Sequence, residues 1–105
     1  MSYRLRSCHR VPVCCSVTYE HKLRDGRGTV FNLSTHGWRL CGDLLLQPGD
    51  LCSLRVTLPT RQRVTMAAGR VRWVQGTDYG IETLLMDTRD EARLAAYIRE
   101  TITEL

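Results

Sequence analysis

The chain has 105 residues, 43% of them hydrophobic and 25% charged, enough for one domain with one core. Its formal net charge of +4 is almost wholly arginine, since Lys22 is the sole lysine. That balance suits an anionic ligand and stays within the ordinary range for solubility, while no apolar stretch is long enough to span a bilayer.

Residues 1–9 are polar and basic without periodicity and read as a flexible arm ahead of a single domain over residues 10–105. The arginines of that arm are not followed by an apolar run, so it is no secretory signal, and a cytoplasmic location is expected. Val11, Val13, Cys15, Val17 and Tyr19 then alternate, the period of a half-buried strand. Pro12 restricts that end to an edge or a ladder start. Residues 21–28, with Asp25-Gly26 inside, predict a hairpin turn or short loop. Strands are expected at 29–33 and 38–41, separated by a polar corner at 34–37. Gln47-Pro48-Gly49-Asp50 is a strong turn signal. Cys52, Leu54, Val56 and Leu58 place one face of the next strand inward. Residues 63–75 form a long strand whose phase changes at Gly69, the mark of a bulge. Residues 79–86 are the last strand.

The period then changes. Leu94, Ile98, Ile102 and Leu105 lie on one face of a helix over about 88–104. Thr88-Arg89-Asp90-Glu91 fits a capping box with Thr88 as the cap. Six strands at short intervals and a terminal helix give a mainly β fold, a small antiparallel barrel or sandwich. A barrel of this size is filled by its own side chains, so a ligand must sit outside it or at a rim.

Five cysteines, Cys8, Cys14, Cys15, Cys41 and Cys52, are an odd number without a Cys-x-x-Cys pair. They indicate neither a disulfide framework nor a zinc site and read as reduced, small hydrophobic residues. No triad, carboxylate pair or metal cluster emerges, so no enzymatic activity and no cofactor or metal are expected.

Two stretches carry recognition chemistry. Arg6 and Arg10 lie about 13 Å apart in an extended chain but converge on one anion in a compact turn. Their guanidinium forks match phosphate oxygens and equally the O6/N7 edge of guanine. Asn32 and Ser34, two apart, point the same way in extended backbone and offer an amide and a hydroxyl to a purine edge. Gly37 permits a positive φ or a close approach. Taken separately, each stretch reads as solvated arginines or as a polar turn satisfying its own backbone.

Together, Arg6-Ser7-Cys8-His9-Arg10 and Asn32-Leu33-Ser34-Thr35-His36-Gly37 resemble the Arg-x-x-x-Arg and Asp/Asn-x-Ser-x-x-Gly motifs of the PilZ family, receptors for cyclic di-GMP. The resemblance runs on through Arg10-Val11-Pro12-Val13, Pro48-Gly49-Asp50, Gly69-Arg70-Val71-Arg72-Trp73, Tyr79-Gly80-Ile81-Glu82 and the closing helix. It implies a six-stranded antiparallel barrel with a C-terminal helix, and an arm that wraps over cyclic di-GMP on the outer face. Arg6 and Arg10 would contact phosphates and guanines, Asn32 and Ser34 would bond a guanine, and Gly37 would allow the turn. An Asn at position 32 accepts through one oxygen where Asp would accept with full charge, which implies weaker binding. Leu5, where some members carry another Arg, favours one ligand per domain.

Further contacts are expected at Arg4, His9, His36 and Trp38, with Trp38 favoured as a packing residue. The ordered arm would signal to a separate protein, and a monomer without nucleic-acid binding or membrane insertion is expected. Two other readings stand beside this one: a PilZ-like adaptor that binds protein without nucleotide, and a nucleic-acid-binding barrel. The latter calls for surface aromatics interleaved with basic residues, whereas the seven aromatics fall mostly in core phase.

Overall fold

The computed structural model describes residues 11–104. The alternating apolar residues at the start of the domain form β1 (Val11–His21), with Val11, Cys15, Val17 and Tyr19 buried. It turns back into β2 (Arg24–Leu33), followed by β3 (Gly37–Gly42), β4 (Leu51–Thr57), β5 (Arg63–Gln75), β6 (Asp78–Leu85) and α1 (Thr88–Glu104). The strands close in the order β1-β2-β3-β6-β5-β4, with every neighbouring pair antiparallel. Closure removes both sheet edges, so no strand of the barrel is left to template a foreign one.

Inward side chains from all six strands fill the barrel, among them Trp38, Leu40, Leu54, Val56, Met66 and Tyr79. Leu94 and Ile98 of α1 join this core, and the helix lies against β5 and β1. Burying them holds the helix down, at roughly 1.5–3 kcal/mol per large apolar side chain. Ile102 stays 37% exposed, so the apolar face of α1 reaches the barrel only through its middle turns.

Three expectations need correction. The first hairpin turns at Lys22-Leu23, not across 21–28, and β2 therefore starts five residues earlier than the expected 29. Gly26 is a strand residue facing Tyr19, whose ring leaves no room for a Cβ. The helix is capped by Asp87 rather than Thr88: the Asp87 carboxylate accepts the Arg89 N–H at 2.8 Å, and Thr88 is already helical. The bulge expected near Gly69 is present, with a shift between Ala68 and Gly69 against β6 and another against β4, where Gly69 pairs with Cys52 and Met66 with Leu54.

Among the described residues the cysteines are free, with Cys14 exposed and Cys15 and Cys52 buried. Burial pushes the Cys52 thiol up to about 11 and raises Cys15 as well, so both remain neutral thiols at physiological pH. Cys8 lies outside the described residues. No described helix is long and apolar enough to cross a membrane.

Candidate functional site

The corner at residues 34–37 is a tight hairpin connection built around one hydroxyl. Ser34 Oγ donates to the Gly37 carbonyl at 2.8 Å and accepts from the His36 and Gly37 N–H groups at 3.3 and 3.1 Å. The Ser34 N–H also donates to the Gly37 carbonyl, at 3.1 Å. One donor and two acceptor positions are all that a hydroxyl has, so Ser34 is fully used and completely buried. The outward face expected to join Asn32 and Ser34 therefore does not form. The chain leaves the strand at Leu33, the two-residue period ends there, and Ser34 turns inward while Asn32 stays half-buried.

Gly37 works through close approach, not through a positive φ. A Cβ at this position would lie 2.5 Å from the Ile81 carbonyl oxygen of the adjoining strand β6. Next to it, the His36 carbonyl accepts from Thr83 N–H at 2.8 Å, which ties the corner to β6. The His36 side chain is exposed. Trp38 is inside the barrel at 1% exposure, so its indole packs in the core, the role favoured for it from the sequence.

Register sets what lies beside this corner. Val11 pairs with Leu33 and Pro12 with Asn32, so β1 begins alongside the end of β2. Pro12 brings no N–H to the Asn32 rung, consistent with a ladder start. On the other side Asn32 pairs with Arg39. Arg4, Arg6, His9 and Arg10 lie outside the described residues.

The pattern of apolar residues gave no hint of an aromatic–cation stack on the outer wall. The Arg39 guanidinium lies 5.5 Å from the Phe31 ring centre and 5.1 Å from that of Trp73. Bulges explain why Phe31 and Trp73 leave the core phase assigned to most aromatics: the β2–β3 register shifts between Val30 and Asn32, and the β5–β6 register between Val71 and Trp73. Gly80, paired with both Arg39 and Trp73, leaves the space into which the indole lies down; a Cβ there would overlap the ring. The signal available in sequence was Gly80, directly opposite Arg39 on the neighbouring strand, and it needs the register to be legible. A cleft of about 310 Å³ opens beside the stack, lined by His36, Gly37, Arg39, Arg72, Trp73 and Glu82. Arg72, exposed, and Glu82, half-buried, pair at its edge at 3.8 Å. Cation–π contacts of this kind are worth about 0.5–1 kcal/mol at exposed sites and hold a flat, positively charged wall in place.

The barrel is closed and filled by its own side chains, with the Ser34 corner at its rim. The chain belongs to the PilZ domain family, a family of cyclic di-GMP receptors, whose model matches residues 4–100. No curated protein sequence matches the chain. Among solved structures, the Bacillus subtilis inhibitor of motility MotI/DgrA superposes with a TM-score of 0.81 at 18% identity, over 96% of this chain and 53% of that one. The PilZ domain of CeSA from a cellulose-synthesizing bacterium gives 0.68 at 13% identity, over 89% of this chain and 97% of that domain. The chain thus spans about half of the first protein and nearly all of the second domain. These identities carry the fold.

Proposed function

We propose that this domain is a cytoplasmic cyclic di-GMP receptor whose ligand is gripped between the Arg6/Arg10 arm and the corner at residues 32–37. The observation that supports it is the β1–β2 register. Val11 opposite Leu33 means that Arg10 is one peptide bond from the rung beside Ser34, although the two motifs are far apart in sequence. Arginine forks and a polar corner at one rim suit a ligand with both phosphates and guanine edges.

In this reading Asn32 supplies the amide that reads a guanine. Ser34 acts by holding the corner's shape, and Gly37 by letting β3 lie close against β6. Arg4, His9 and His36 border the phosphates. The cleft beside the corner offers the rest of the ligand a flat wall, Trp73, and a cationic rim, Arg72. The arm orders on binding and changes the surface offered to a partner protein. A neighbour of the same fold described as an inhibitor of motility is in keeping with output through another protein.

Isothermal titration of the whole chain with cyclic di-GMP tests the reading. Binding heat is expected for the native sequence and is lost in Arg6→Ala and in Arg10→Ala, with circular dichroism unchanged. Equal affinity in both variants would sink the arginine grip. Absence of heat with the native chain would instead favour the nucleotide-free adaptor.

A further inference from the structure

We propose that the barrel end carrying the β1–β2 turn is a self-association surface, where a second copy of this chain docks across a two-fold axis with Leu23 at the centre. Lys22 and Leu23 adopt φ of 50° and 64°, consecutive left-handed conformations in a two-residue hairpin. Such turns select Asn-Gly, and a leucine there works against the backbone. The side chain gains nothing in return within the fold, being 94% exposed. A residue that is unfavourable for the turn and unused by the core points to a use outside the chain.

Leu23 has company at the same end. Leu51 is 54% exposed at the start of β4, and its carbonyl sits 2.6 Å from Nδ1 of His21, the residue before the turn. Leu45 is 74% exposed in the β3–β4 connection. That connection is pinned: the Tyr19 hydroxyl donates to the Leu44 carbonyl and accepts the Leu44 N–H, both at 2.8 Å, and Leu44 and Leu46 are buried. Leu45 therefore points outward from a fixed backbone, as Leu23 does from a hairpin. Rigid presentation keeps the ordering cost of docking low.

Charge selects the occupant. The chain as a whole is basic at +4, but at this end Lys22, Arg24, Arg27 and Arg70 stand among Glu20, Asp25, Asp43 and Asp50. A two-fold interface sets one patch against its own image, so the patch must complement itself. An apolar centre within a rim of both signs does so, because each base can meet an acid of the other copy. A rim of one sign would repel its image and call for an oppositely charged partner. Three leucines make a small patch, which fits a weak, concentration-dependent dimer. β1 runs from the recognition corner to this turn, about 30 Å away by strand rise, so the proposal stands apart from any ligand at the corner.

Sedimentation equilibrium of the full chain, from about 1 µM to about 1 mM in about 0.1 M salt, tests it. The mass is expected to rise from one copy toward two. Lys22→Asn/Leu23→Gly, which supplies the residues the turn prefers, and separately Leu45→Ser, each raise the dissociation constant at least about tenfold. The double variant keeps or raises the thermal midpoint, which separates lost association from lost folding. Leu85→Ser, a control at the opposite end where Leu85 is 62% exposed, leaves the mass curve unchanged. The proposal fails if the native chain stays at one copy throughout. It fails equally if association survives the turn and Leu45 changes, or if Leu85→Ser abolishes it as well.

Discussion

Ser34 has no hydrogen-bonding capacity left for a ligand, yet it is the residue on which the corner depends. Replacing it by Ala removes three bonds at once and leaves the Gly37 N–H, in a buried residue, short of its acceptor. A loss of about 2–3 kcal/mol in unfolding free energy is expected from urea denaturation of Ser34→Ala, because an orphaned buried donor costs its full desolvation. Gly37→Ala fails for a different reason. The new Cβ would meet the Ile81 carbonyl oxygen, backbone that is fixed by the β3–β6 ladder. Separating two paired strands costs about 2 kcal/mol or more, read in the same denaturation series, and Ser at position 37 should do no better than Ala. Both residues were legible as important from their spacing in the sequence. Their physical work was not, since a hydroxyl two positions from Asn32 looks outward-facing until the strand is seen to end at Leu33.

Elements whose identity rests on side-chain period were readable in advance, and those that rest on backbone conformation were not. Strands β4 and β5 and helix α1 announce themselves by which residues are apolar, and the inward set Cys52, Leu54, Val56 and Leu58 is buried as the alternation requires. The first turn has no such signature. Lys22-Leu23 carries neither the Asn nor the Gly that left-handed φ favours, while Asp25-Gly26 next door looks like a turn and is a strand. The wall stack of Phe31, Arg39 and Trp73 was hidden for a related reason: bulges shift register without changing residue type. The helix cap is a one-residue version of the same problem, since Asp87 and Thr88 both suit the position. Asp87→Ala is expected to lower stability by about 1 kcal/mol, and Thr88→Ala to stay within about 0.5 kcal/mol, in paired thermal melts. The opposite ranking would restore Thr88 as the cap.

For the molecule as a whole, the closed barrel depends on polar groups that are buried neutral, and this makes alkaline pH its weak side. Tyr19, 2% exposed, sits where β1 meets the pinned β3–β4 connection, and burial pushes its phenol from 10.0 up to about 12. Tyr79 adds a second phenol, its hydroxyl donating to the same Leu44 carbonyl at 3.2 Å. Cys52 behaves alike on the adjoining strand β4, raised from 9.0 to about 11 by burial and by the nearby Asp50 carboxylate. In both cases the folded state holds the proton more tightly than the unfolded chain does. The stabilisation is therefore complete below the unfolded value and fades as pH rises toward the folded one, because the unfolded state releases protons first. For Cys52 the window is 9 to about 11, and for Tyr19 it is 10 to about 12. Two units correspond to roughly 2–3 kcal/mol per group, a large part of the total stability of a small domain. Urea midpoints are expected to stay level through pH 8 and to fall steadily above pH 9. Cys52→Ala makes the first part of that fall shallower without abolishing it, because burial raises the Cys15 thiol from 9.0 as well. A native chain with constant stability up to pH 11 would show that these groups ionise without opening the barrel, and that the tyrosine clasp on Leu44 is not what keeps this end closed.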